Sequence, residues 1–108
     1  MPITLEQLQK EGWDWVKHNF SASLDKTYQP LLGVAEEVGE LCHAHLKMEL
    51  GIRNTSKADK EDAIGDIIIY LADYCNHNGI NISKALTTAW ETASKRDWIK
   101  YPKNGLTE

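Results

Sequence analysis

The sequence predicts an all-α fold of four helices in a bundle. Apolar residues recur at helical spacing, in Leu32, Ala35, Val38, Leu41 and Cys42 and again in Ile64, Ile67, Ile68 and Leu71. Capping or first-turn residues precede the candidate helices, and Gly51 and Asn78-Gly79 stand where two of them should stop.

The first helix is expected over about Leu5–His18, with Thr4 as N-cap and Gln7 completing a capping box. Leu5, Leu8, Gly12, Trp15 and Asn19 set its face. Trp13 and Trp15 are core candidates, while a Trp at the mouth of a nucleotide site would stack on a base. Residues 21–29 read as a polar connector. Pro30 fits the first turn of a second helix that runs to about Leu50. A polar loop follows, with Arg53 and Lys57, and either Ser56 or Asp59 caps a third helix running to about Asn76. The fourth helix is expected over about Ile82–Trp98, capped by Asn81 or Ser83, with Leu86, Ala89, Trp90 and Ala93 at core spacing. Residues 103–108 read as a frayed tail.

At 108 residues the chain makes one domain. Its net charge of −4 argues against a nucleic-acid polymer as partner, because that binding draws on basic patches. A mean hydropathy of −0.47 and the lack of a long apolar run leave no membrane span. No secretion signal is visible, and Cys42 and Cys75 read as reduced thiols at small core positions, so a cytoplasmic protein is expected.

Two acidic strips stand out on the second and third helices. Glu36 and Glu40 fall within about 40° of each other on a helical wheel, with Glu37 on the flank of the same arc. Asp62, Asp66 and Asp73 share an arc of about 40° on the next helix, beside its apolar stripe. Packing the two apolar stripes together brings these carboxylates to the edge of the contact. Clustered carboxylate oxygens suit hard cations such as Mg²⁺ or Mn²⁺, whereas zinc favours thiolates and histidines.

Glu36-Glu37-Val38-Gly39-Glu40 followed by Asp62-Ala63-Ile64-Gly65-Asp66 resembles the MazG-type all-α nucleoside triphosphate pyrophosphohydrolases over about residues 30–100. That family carries Glu-Glu-x-x-Glu on one helix and Glu-x-x-Asp on the next. The second motif departs here: Ala63 stands three before Asp66, so Asp62, four before, takes the acidic role. The resemblance implies Mg²⁺, or Mn²⁺ in its place, on Glu37, Glu40, Asp62 and Asp66. The catalytic group is then Glu36, Glu37 and Glu40, with Glu36 either a general base or a further ligand. Glu61, about 140° from Asp66, is expected in the first helical turn, where the macrodipole favours it. The implied reaction converts a ribo- or deoxyribonucleoside triphosphate to its monophosphate and pyrophosphate, a nucleotide-pool housecleaning activity. Members assemble as dimers or tetramers, so a homo-oligomer is expected.

The substrate-binding candidates each have two readings. Lys47, on the acidic face of its helix, is a phosphate contact or one half of a helical ion pair. Arg53 bridges phosphate oxygens or is a solvated loop residue. Tyr70 bonds a sugar or lines the core. Lys95 and Arg96, by resemblance, face the phosphates, or else complement a helix C-terminus. Glu40-Leu41-Cys42-His43 also spells a di-iron motif, but the third helix carries no matching copy. Two other functions fit the same strips: a phosphoribosyl-ATP pyrophosphohydrolase, and a non-catalytic helical module whose acidic face docks a basic partner. No phosphate-binding Gly-rich loop is present.

Overall fold

Local side chains decide where the helices begin in the computed structural model, which describes residues 1–107. Helix α1 spans Leu5–Asn19. Thr4 Oγ1 accepts from the Gln7 amide (3.1 Å) and Gln7 Oε1 accepts from the Thr4 amide (2.9 Å), which is the expected capping box. A single 3-10 turn, Ser21–Ser23, leads towards α2, Gln29–Glu49, with a buried Pro30 in its first turn. Gly51 takes φ +74°, and the left-handed turn it makes lets the Ile52 amide donate to the Lys47 carbonyl at 2.9 Å.

Helix α3 spans Lys57–His77 and takes Ser56 as its cap. Ser56 Oγ accepts from the Asp59 amide (3.0 Å) and the Asp59 carboxylate accepts from the Ser56 amide (3.4 Å). Asp59 is therefore the acid of the first turn. Glu61 lies in the second turn, not the first as expected, and its partner is Lys57 at 3.8 Å. Helix α4, Ile82–Ala93, is capped by Asn81, whose Oδ1 accepts from the Lys84 amide at 2.9 Å.

The chain departs from expectation after Ala93, where α4 ends short of Trp98. Asp97 starts a new turn: its Oδ1 accepts from the amides of Ile99 (3.1 Å) and Lys100 (2.9 Å), and its own amide donates to the Gly105 carbonyl at 2.7 Å. Arg96 Nη1 donates to the Asn104 carbonyl at 2.7 Å. Residues 103–107 thus fold back on the end of α4, and Gly105 is buried with φ +78°. The tail read as frayed is held by these bonds at Asn104 and Gly105, and the Thr107 amide donates in turn to Asn104 Oδ1 at 2.9 Å; Glu108 lies outside the described residues.

Helix α3 is the central element, packed against both α2 and α1. It runs antiparallel to α2: Gly33 meets Tyr70, while Glu40 and Ala44 share a cleft with Asp62 and Ala63. On the other side, Asn76 Nδ2 donates to the Gln9 carbonyl at 2.8 Å and the Trp13 ring stands edge-on to His77, centroids 5.3 Å apart. The Gln9 side chain also takes the Ile82 amide (3.0 Å) and donates to the Ile80 carbonyl, joining α1 to the start of α4.

The inward face of α1 runs through Leu5, Leu8, Gln9, Gly12, Trp13 and Val16: Leu5, Leu8 and Gly12 lie on it as expected, while Trp15 and Asn19 are exposed and Val16 is buried in their place. Trp15 is exposed and stacks edge-on with Phe20 at 5.5 Å. Buried apolar residues are Val16, Ala72 and Cys75; Cys42 is exposed, against the expectation of a core position, and both thiols are free. Much of the expected core stays uncovered. Leu32 is 62% exposed, Leu86 56% and Trp90 66%. Each of these side chains lies on an amphipathic face that no other element of the same chain reaches in sufficient area. No helix among the described residues is long and apolar enough to cross a membrane.

Candidate active site

The antiparallel pairing of α2 and α3 gathers the acidic strips. Glu37 and Glu40 from α2 and Asp62 from α3 line one cleft of about 310 Å³, with Arg53, Asn54 and Thr55 of the connecting loop also in its wall. Glu36 and Asp66 do not line it. They stand towards the Gly33–Tyr70 end, near enough for their charges to act on Glu37 and Tyr70.

Electrostatics reflect that crowding. The Glu37 carboxyl is held above the usual carboxylate value, first by partial burial and then by Glu40, Asp66, Glu36 and Asp62. Burial, and after it Glu36, Glu37, Asp66 and Asp73, raise the Tyr70 phenol. Among the described residues, none of Glu36, Glu37, Glu40, Asp62 and Asp66 has a cationic partner within 4.0 Å. Arg53 is the strong cation of the cleft wall.

This donor set fits a hard divalent cation in its chemistry, since every candidate ligand is a carboxylate oxygen. No three His, Cys, Asp or Glu side chains among the described residues are gathered at metal-binding separation. Asp62 and Glu61 are both exposed, but Asp62 lines the cleft, whereas Glu61 pairs with Lys57.

The remaining sequence candidates divide. Arg53 is brought in, and Tyr70 stands one turn beyond Asp66, packed on Gly33. Lys47 lies a turn past His43 and lines no part of the cleft. Lys95 and Arg96 follow α4, which packs on α1, and the Arg96 guanidinium is used on Asn104 and over the Trp98 ring at 5.6 Å. They are not in the cleft of their own chain, and neither Trp13 nor Trp15 lines it. His43 and Asp59 do line it. The signal for His43 was its place three residues after Glu40; Asp59 was legible only as a cap.

Asp73, on the same strip of α3, turns to another task. Its Oδ1 lies 3.2 Å from Nε2 of His77, whose side chain is 3% exposed. Burial raises the Asp73 carboxyl above its usual value, and the nearby His77 opposes that shift. Comparison of the chain with protein-family models, curated proteins and solved structures finds no match.

Proposed function

We propose that the chain is a nucleoside triphosphate pyrophosphohydrolase, dependent on Mg²⁺ or Mn²⁺, that releases a nucleoside monophosphate and pyrophosphate. The observation that carries this reading is the convergence of Glu37, Glu40 and Asp62 on one cleft, with Glu36 and Asp66 in electrostatic reach and Arg53 on the same wall. The motif resemblance supplies the reaction.

In this reading Glu37, Glu40, Asp62 and Asp66 would hold the cation through carboxylate oxygens. A cation held there would supply charge neutralisation of the triphosphate and a site for a water facing the α-phosphorus. Arg53 presents a planar fork of donors to phosphate oxygens at the loop end of the cleft. Glu36 accepts the proton of the attacking water or serves as a further ligand, alternatives that the pH–rate profile of Glu36→Gln separates. The Tyr70 phenol, held protonated, donates to the sugar. Lys47, Lys95 and Arg96 have no part in this mechanism within one chain. The same reading puts the enzyme in the cytoplasm, where nucleoside triphosphates are held.

We also propose a homo-oligomer, a dimer or tetramer. The chain exposes 8335 Å², against about 6,100 Å² for a compact monomer of its mass. Its radius of gyration is 17.5 Å, against about 13 Å. The excess matches the area that stable subunit interfaces bury, roughly 1,200–5,000 Å². Light scattering on the purified chain tests this, and a monomer at micromolar concentration would refute it.

The functional test is a panel of ribo- and deoxyribonucleoside triphosphates and phosphoribosyl-ATP with Mg²⁺, scored for pyrophosphate against orthophosphate. Pyrophosphate in one step is expected. Stepwise orthophosphate with a diphosphate intermediate would contradict attack at the α-phosphorus, and no turnover on any substrate would favour the acidic docking module.

A further inference from the structure

Gly33 lies on α2 one turn before Glu36 and Glu37, and Tyr70 lies on α3 one turn after Asp66. A Cβ at position 33 would stand 2.3 Å from Tyr70 Cε1, 2.4 Å from Cδ1 and 2.6 Å from Cζ. The ring therefore lies directly on the α2 backbone, with no clearance for even a methyl group. Three other helical glycines, Gly12, Gly39 and Gly65, have open space where a Cβ would be. Glycine at 33 sits in ordinary helical backbone, so close approach and not a special dihedral explains it.

That contact sits at the end of the α2–α3 pair from which the carboxylates Glu36, Glu37 and Asp66 project. The Tyr70 ring is the gauge between the two backbones at this level. A change in its seat would shift the backbones that carry the α2 and α3 carboxylates one turn away. Cation sites are sensitive to such support: loss of the groups that orient the ligands lowers metal affinity by about 10–100-fold.

We infer that Gly33 and Tyr70 form a spacer pair that sets the width of the carboxylate cleft, and hence its affinity for a divalent cation. The inference rests on the reading of the cleft as a cation-dependent site, and it makes Tyr70 a positioning residue that acts through its ring. The phenol oxygen is not required for this role.

The experiment uses the full chain and Mn²⁺, whose binding is read by electron paramagnetic resonance and calorimetry, beside urea unfolding of metal-free protein. Gly33→Ala should weaken Mn²⁺ binding about 10–100-fold while the helical circular dichroism spectrum is kept. Tyr70→Phe should bind Mn²⁺ as the parent does. In a Tyr70→Ala background, where the ring is gone, Gly33→Ala should cause no further loss of affinity and no loss of urea midpoint. Parental Mn²⁺ affinity in Gly33→Ala overturns the spacer, and so does Tyr70→Phe behaving like Tyr70→Ala. A parent chain that binds no Mn²⁺ overturns the cation reading itself. The unfolding cycle stands apart from that outcome: additive effects of the two substitutions would show that the ring and the glycine do not meet as described.

Discussion

Glu37 on α2 and Asp62 on α3 line the same cleft, although 25 positions separate them in the sequence. The Asp62 charge is one of those that, after partial burial, hold the Glu37 carboxyl above its ordinary value. Packing two helices has thus placed like charges together on one cleft wall.

The Glu37 shift makes metal-free stability depend on pH. A raised carboxyl binds more protons in the folded than in the unfolded state between its ordinary value of 4.5 and its folded one. Stability from this group is thus present below that window and lost as pH rises through it. Glu37→Gln should flatten that part of the profile, and saturating Mg²⁺ should raise the neutral-pH midpoint of the parent. Urea midpoints at several pH values for both proteins, with and without Mg²⁺, read this. Parallel profiles of parent and Glu37→Gln would show that Glu37 is not the group responsible.

Asp62 and Glu61 are adjacent and should differ sharply. Asp62→Ala removes a carboxylate from the cleft wall and should lower turnover by about two orders of magnitude or more, with the fold kept. Glu61→Ala removes an exposed ion pair with Lys57 and should cost only about 0.2–0.5 kcal/mol with near-normal turnover. Steady-state kinetics at saturating Mg²⁺ decide between them; an inactive Glu61→Ala with an active Asp62→Ala would reverse the ligand assignment.

Arg53 is expected to serve the phosphates. Arg53→Ala should lower kcat/KM by about ten- to a hundredfold, the worth of hydrogen bonds to a charged group. Arg53→Lys should recover little of it, because an ammonium cannot form the paired contact. Unchanged kinetics in both variants would return Arg53 to the solvated loop.

Gln9 predicts a stability effect far from the cleft. Its side chain bonds the Ile80 carbonyl and the Ile82 amide, so Gln9→Ala should destabilise by about 1–2 kcal/mol and loosen α4. Hydrogen exchange at Ile82 and global urea unfolding measure the two parts. Protection at Ile82 equal to that of the parent would mean α4 is held by other contacts.

Helix starts were legible in the sequence because capping is local. Thr4 with Gln7, Ser56 with Asp59, and Asn81 with the Lys84 amide each act across three residues. The acidic strips were legible for the same reason, since a helix places Glu36 beside Glu40 and Asp62 beside Asp66 whatever surrounds it. Tertiary structure alone decided the rest. It placed the end of α4 at Ala93, bonded Asp97 to Gly105, and seated Arg96 on Asn104 outside the cleft. It also buried Val16 in place of Trp15 on the side of α1 that packs against α3. Helical period says which residues share a face, but only the contact between faces says which glycine must stay bare: at Gly33, the Tyr70 ring occupies the space a side chain would need.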